Sequence, residues 1–307
     1  MLTNTVRRVG LSVAVVAALT SVAACGGSDD GGGKGGGKNE SVGRSVAKVD
    51  PIAALVAVQK KTGQAHSARI EGTTTMGSAM SMKQSGSMDW SDGITGTMQI
   101  TYTGGTMADS MKQLGSDGTM EARYFKGGYA ANMGEAMAQQ TGGKSWISYT
   151  YDDLAKIGGA SGAAMKDQME TSTPEQGVKS LLASGDVKKV GQEDVRGVRA
   201  THYSGTVDVA DLTAKNSNLD ADEVTALKKQ LADAGIATET VDIWVDENDL
   251  LVKKTERGQM KTGELNSTVY YSDYGIKVSV EHPPADQTIE FTELMKQQQG
   301  ATAGATS

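Results

Sequence analysis

The sequence predicts an α+β domain in which helices cover the concave face of a large, curved, mainly antiparallel sheet. Two observations lead to this prediction. Apolar and polar residues alternate with a period of two in many short segments, which is typical of antiparallel strands that are wet on one side. These segments flank a helical stretch and do not alternate regularly with helices, which disfavours a doubly wound parallel sheet.

The domain is predicted to begin with a helix. Asp50 is suited to the N-cap and Pro51 to the first helical position, and Gly63 is suited to the end of the helix. Leu55 lies on its apolar face. The period then changes to two, and strands are predicted at residues 68–76, 80–88, 98–102, 119–124 and 129–133.

A helical stretch is predicted next, over residues 151–184. Within it, Thr173 and Pro174 mark a helix start, and Leu181 lies on the apolar face of that helix. The stretch separates two groups of strands. The sheet must therefore be assembled from both halves of the chain.

The second half contains one further helix among its strands. Asp220 and Glu223 have the spacing of a capping box, which predicts the start of this helix. A short last helix is predicted from Phe291. The strands of this half are predicted at residues 187–195, 199–209, 240–245, 250–256, 265–271 and 276–280.

The first 24 residues have the composition of a bacterial export signal. Arg7 and Arg8 precede an apolar run over residues 9–19, and small residues follow it. The run, of about 11 residues, is too short to span a membrane. Cys25 stands where a lipobox places the residue that receives a diacylglyceryl group. We expect residues 1–24 to be cleaved and Cys25 to anchor the protein at the outer face of the cytoplasmic membrane; the alternative is an ordinary secretory signal with a chance cysteine.

The remaining domain boundaries follow from composition. Residues 25–45 contain the acylated cysteine and a glycine-rich tether, whose run at 26–39 spans about 20 Å as a flexible coil. One folded domain is predicted over residues 46–299. Residues 300–307 are low in apolar content and are predicted to be a disordered tail.

Charge and cysteine content exclude several classes of function. Removing residues 1–24, which carry two arginines and no acidic residue, takes the net charge from −7 to −9. Such a chain is not expected to bind nucleic acid or anionic lipid headgroups, because both bind most strongly to clusters of lysine and arginine. Cys25 is the only cysteine, so its acylation leaves no thiol for a disulfide, a metal or a nucleophile.

Catalytic and metal-binding patterns are present only in fragments. Ser45 begins an S-x-x-K and Lys261 a K-T-G, as in penicillin-recognising enzymes, but Ser45 adjoins the tether and the S-D pair at Ser272 comes in the wrong order. Residues 216–222 have the alternate spacing of a calcium loop but lack its glycine and glutamate. We predict no enzyme, no metal and no cofactor. No second metal ligand accompanies the histidines His66, His202 and His282.

Methionines occupy many of the apolar positions in the predicted strands of the first half of the chain. The chain has 15 Met and two Phe. Methionine is flexible and polarizable and packs against irregular apolar shapes. Such a strand face could hold acyl chains, or it could simply pack the overlying helices. The methionines that share one parity on three successive predicted strands are Met76, Met80, Met82, Met88 and Met98.

Three segments carry a resemblance to a known family. Residues 195–212 (VRGVRATHYSGTVDVADL), 241–254 (VDIWVDENDLLVKK) and 280–286 (VEHPPAD) resemble the central strands, a W-V-D hairpin and the proline-bearing end of the actinobacterial LppX/LprAFG lipoproteins. The LprAFG group is part of the LolA-like superfamily. The chain differs from it in its long glycine tether, its methionine-rich strands and a Gly/Ala segment at 158–164.

The resemblance implies a half-barrel antiparallel sheet whose concave face is covered by helices, with a multi-acyl lipid bound in the apolar cavity between them. We expect this cavity between the methionine strands and the helices near Leu55 and Leu181. The alternative is a surface sensor or scaffold that has a closed core and acts through an unidentified protein partner. The residues predicted to line the cavity are Leu55, Ile70, Met76, Met82, Met98, Ile100 and Leu181.

Overall fold

The computed structural model describes residues 50–304, apart from 114, 157–165, 167–168, 170–171, 185, 214–216 and 261. Residues 151–156 are helical. The other helices are α1 (Pro51–Gln64), α2 (Gly105–Gln113), α3 (Glu135–Gln140), α4 (Pro174–Leu182), α5 (Ala221–Asp233) and α6 (Phe291–Gly304). The strands are β1 (Ser67–Met76), β2 (Met80–Asp89), β3 (Thr95–Gly104), β4 (Thr119–Phe125), β5 (Gly128–Asn132), β6 (Trp146–Thr150), β7 (Lys188–Val195), β8 (Val198–Asp208), β9 (Thr238–Val245), β10 (Leu251–Met260), β11 (Gly263–Ser272) and β12 (Thr288–Glu290).

These strands form one sheet in the order β12-β6-β5-β4-β3-β2-β1-β11-β10-β9-β8-β7. β12 pairs with β6 in parallel, and every other pairing in this order is antiparallel. The pairing of β1 with β11, which places Ile70 opposite Tyr271, joins the two halves of the chain. The predicted α+β class, with a mainly antiparallel sheet built from both halves, is confirmed.

Three helices begin directly after the capping residues that the sequence predicts. The Asp50 carboxylate accepts a hydrogen bond from the Ile52 amide at 3.0 Å, which satisfies one of the free amides at the start of α1. Both bonds of the Asp220–Glu223 capping box are present at α5, at 2.8 and 3.1 Å. Thr173 occupies the N-cap position of α4.

Several elements differ from the sequence-based prediction. Residues 276–280, predicted as a strand, lie outside the sheet; the chain is tied there by the Ser67 hydroxyl, which donates to the Ile276 carbonyl at 2.7 Å. α2, α3, β6 and β12 were not predicted. β6 shows no alternation at its start because Trp146 and Ile147 are both buried, on opposite faces. α6 runs to Gly304, past the predicted domain boundary.

One face of the sheet carries α1, α4 and α5, and we call it the helical face. Beneath α1 and α4, a core forms over β8–β11, and α5 closes a second core at the ends of β8 and β11. The first contains Leu55, Val58, Val178, Leu181, Leu182, Tyr203, Val241, Ile243, Val245, Leu251, Val269 and Tyr271. The second contains Ala183, Val207, Leu212, Val224, Leu227, Leu231, Ile236 and Leu265.

The opposite face has a smaller core near the turn between β7 and β8. Trp244 is 5% exposed and packs there with Val195, Ala200 and Val252. From the sequence, Trp244 is predicted to face inward only if a local bulge intervenes in its strand, and this inward placement is wrong. Because side chains alternate along β9, Trp244 lies on the face away from the helices.

Candidate functional site

The strand register places the methionines of β1–β4 on the helical face. Residues directly opposite each other in an antiparallel pair share a face. Met82 lies opposite Thr74, Gly86 of β2 lies opposite Met98, and Ile100 lies opposite Met120. The shared parity expected from the sequence is therefore realised in the sheet.

These side chains form an apolar layer that we call the methionine floor: Met82, Met88, Met98, Ile100, Met120 and Ala122. Two glycines make room for it. A Cβ at Gly86 would come within 2.6 Å of the Met98 sulfur, and one at Gly96 within 2.7 Å of the Met88 sulfur. Each thioether thus crosses a neighbouring strand at a position without a side chain. Met88 and Met98 are buried, whereas Met82 is partly exposed.

A row of aromatic rings borders the floor. Tyr124 stacks on Tyr129 with ring centroids 5.8 Å apart, and Tyr129 stacks on Tyr149 at 4.6 Å. Phe291, at the start of α6, lies 4.9 Å from Tyr149 and continues the row. Stacked pairs at these distances stabilise a sheet beyond the burial of their area. The three tyrosines are partly exposed.

The predicted cavity residues separate into three groups. Ile70, Met82, Met98 and Ile100 meet in or against the methionine floor. Met76 packs against the core beneath α5. Leu55 and Leu181 are fully buried in the core beneath α1 and α4. Cys25 lies outside the described residues, so its acylation remains a prediction.

A buried ionic cluster lies on the helical face beside the core beneath α4. The Lys254 ammonium donates to Glu256 Oε1 at 2.5 Å, and Gly177 of α4 packs against the lysine stem. Burial opposes the charge of Lys254, but Glu256, Tyr271 and Glu239 together hold its pKa above the usual range. This lysine is therefore satisfied by protein carboxylates and is not a free cation for a ligand.

Glu239 in this cluster gives the protein a predicted pH dependence. Burial first, and then the charge of Glu256, raise the pKa of Glu239 to about 7. The folded protein therefore binds this proton more tightly than the unfolded chain, and the free energy of unfolding falls as the pH rises from about 4.5 to 7. Glu239→Gln should stabilise the protein relative to wild type, most strongly above pH 7, in urea unfolding at pH 5 and pH 8.

The matched control for this prediction is Glu264→Gln, at an exposed position of β11. It should change stability equally little at both pH values. An equal effect of Glu239→Gln at pH 5 and pH 8 would contradict the assignment of the titration to Glu239.

A second polar network lies on the opposite face. His202 stacks on Trp244 at 4.3 Å, and its Nε2 lies 2.9 Å from Asp242 Oδ1. Asp242 also accepts from Arg257 at 2.7 Å. Burial opposes ionisation of Asp242, but its hydrogen bonds to Ser204, His202 and Arg257 hold its pKa below the usual range. The network is internally paired and ties β8, β9 and β10 together.

A cavity of about 450 Å³ lies beside β5 and β6. Phe125 and His282, whose rings stack at 4.0 Å, form part of its wall, and Tyr129, Ala130, Ser148 and Tyr149 are also among its lining residues. It contains none of the seven predicted cavity residues. The cavity expected beside the methionine strands stays a prediction.

In the described part of the chain, no group of three or more His, Cys, Asp or Glu side chains could hold a metal ion. Among the helices in that same part, none combines the length and apolar character needed to cross a bilayer.

An open, mainly antiparallel sheet with helices packed on one face defines the chain as an α+β protein. Two *Streptomyces* proteins are similar to most of the chain. A *Streptomyces griseus* protein, described as an uncharacterized 31.2 kDa protein in the rplA-rplJ intergenic region, is 69% identical over 262 residues, which are 85% of this chain and 86% of its own length. A *Streptomyces coelicolor* protein, described as "Putative lipoprotein SCO4650", is 46% identical over 307 residues, covering 96% of this chain and 98% of its own. The chain belongs to the family of these two proteins.

No protein-family profile matches the chain. Among solved structures, LprF from *Mycobacterium bovis* has a TM-score of 0.46 at 13% identity and covers 76% of this chain and 97% of its own. LppX from *Mycobacterium tuberculosis* has a TM-score of 0.44 at 11% identity and covers 76% of this chain and 100% of its own.

Proposed function

We propose that this chain is a lipoprotein, held at the outer face of the cytoplasmic membrane through Cys25, whose folded domain binds or transfers acylated lipids. The description of the *Streptomyces coelicolor* relative as a lipoprotein supports the anchor. The observation that carries lipid binding is the methionine floor. It is a continuous apolar layer from three adjacent strands, in which Met82 and Met120 are partly exposed and the other four residues are buried.

Methionine side chains suit such a role because they adapt to chains of different length and shape. Burial of apolar surface contributes about 25 cal/mol per Å², before the cost of ordering the ligand. Two or three acyl chains could therefore bind without a charged contact. The binding is not enzymatic in this proposal.

The test places bulk on the floor. Met82→Trp adds an indole at a partly exposed position and should lower the amount of co-purifying lipid severalfold, because the ring occupies space that acyl chains would take. The measurement is mass spectrometry of organic extracts from the mature chain produced without its signal and acyl group. Met98→Lys, which places a charge in the buried floor, should have the same effect in a variant that still folds.

The controls use neighbouring residues on the other face of the same strands. Lys83→Trp and Gln99→Lys change exposed positions and should leave lipid loading unchanged. Unchanged loading in folded Met82→Trp and Met98→Lys would reject the floor as the lipid site.

A sensor or scaffold that acts through protein contacts is the second candidate. The full burial of Leu55 and Leu181 favours it, because the part of the helical face beneath α1 and α4 is packed closed. A wild-type protein that carries no lipid would support this function and contradict lipid binding.

A further inference from the structure

Four tyrosines gather their hydroxyl groups on the helical face beside the methionine floor. We call Tyr102, Tyr124, Tyr129 and Tyr149 the tyrosine cluster. Tyr102 and Tyr124 pack against the floor, and Tyr129 and Tyr149 continue across β5 and β6. Each of the other three hydroxyls raises the pKa of Tyr129, so the four groups lie within electrostatic reach of one another.

These hydroxyls are unused donors. In the part of the chain that the structure describes, none of the four has a hydrogen-bond partner, and none is among the polar atoms wholly shut off from solvent. Tyr274 shows the contrast, because its hydroxyl donates to the Leu251 carbonyl at 2.6 Å. A tyrosine hydroxyl that lies in apolar surroundings normally finds a partner. The cluster therefore offers four donors toward a space that a ligand can reach.

The cluster is also uncharged. Burial is the first cause of the raised pKa of all four tyrosines. Burial, with Tyr102 as the second cause, raises the pKa of Tyr124 to about 12. The hydroxyls therefore stay protonated across physiological pH. No described lysine or arginine contributes to these shifts. An anion bound here would lose its hydration without gaining a positively charged partner, and this desolvation costs free energy.

We propose that the tyrosine cluster binds an uncharged group rich in hydrogen-bond acceptors, while the acyl chains attached to that group lie on the methionine floor. The acceptors are ester carbonyl oxygens or sugar hydroxyl oxygens. The inference rests on the proposed lipid-binding function and adds its selectivity: neutral headgroups bind in preference to phosphates. The adjacent methionine floor would contact the acyl chains of the ligand, and the four tyrosine hydroxyls would donate hydrogen bonds to its headgroup.

The experiment compares four probes on the mature chain from residue 26, in which the described residues form one compact unit. Dioleoylglycerol supplies ester carbonyls, dodecyl maltoside supplies sugar hydroxyls, dioleoyl phosphatidate adds a charge, and diphenylhexatriene is apolar without acceptors. The test variant is Tyr129→Phe with Tyr149→Phe, which keeps both stacked rings. Tyr270→Phe is the matched control, because Tyr270 lies on the opposite face beneath Arg196.

We expect the double variant to bind at least one neutral probe about three- to tenfold more weakly for each lost hydroxyl. The probe that is affected identifies the source of the acceptors. Diphenylhexatriene should bind equally to wild type and variant, phosphatidate should bind wild type more weakly than dioleoylglycerol, and Tyr270→Phe should change nothing.

Two results would overturn the inference while leaving lipid binding intact. One is unchanged binding of both neutral probes to the double variant. The other is phosphatidate that binds wild type as tightly as dioleoylglycerol. A wild-type protein that binds none of the four probes would instead overturn the proposed function, and this inference with it.

Discussion

Leu181→Ala is expected to lower the free energy of unfolding by about 2–5 kcal/mol, the range for truncating a fully buried leucine. Leu181 has no exposed surface and lies where α1 and α4 meet the sheet. Removing its branched end leaves a cavity beside Leu55 and Val241 that a close-packed core fills only in part. Urea unfolding measures the change as a lower midpoint at constant slope.

The matched control is Val56→Ala on α1, where the side chain is 51% exposed. It should change the free energy of unfolding by no more than about 0.5 kcal/mol. The pair also distinguishes two roles of Leu181. As a core residue it affects stability and leaves lipid loading unchanged. Altered lipid loading with little loss of stability would make it a cavity wall, as its sequence pattern suggested.

Local signals in the sequence were strong enough to predict most of the fold. Asp50 and Asp220 cap helices through bonds that span two or three residues, so their neighbours alone determine them. Alternation predicted the shared face of Met82 and Met98 because side-chain direction in a strand follows parity. β6 was not predicted because its consecutive buried residues Trp146 and Ile147 break the alternation of apolar and polar side chains.

The candidate site depends on contacts between distant segments, which parity does not determine. Tyr129 and Tyr149 are separated by α3, and only the pairing of β5 with β6 places them opposite each other. The apolar pattern of α4 predicts that Leu181 faces the sheet, yet its full burial depends on how closely α4 approaches α1. The sequence therefore indicates which residues face inward and leaves open whether they enclose a space or fill it.

Cys25→Ala is expected to remove the protein from the membrane or to stall it as the uncleaved precursor. Cys25 supplies the chain's only thiol, and it follows Val22, Ala23 and Ala24 behind a short apolar run. A single acyl chain holds a protein at a membrane only marginally, whereas two chains hold it stably. Loss of the diacylglyceryl group should therefore abolish anchoring rather than weaken it.

Fractionation of cells followed by immunoblotting measures both outcomes, since the precursor and the mature chain differ in size. Ser28→Ala, just beyond the cysteine in the glycine-rich tether, is the matched control and should be processed and anchored like wild type. A Cys25→Ala protein that is still cleaved and still sediments with membranes would require an anchor other than the cysteine. Since the net charge of the chain is already −7, attraction to anionic headgroups would not supply that anchor.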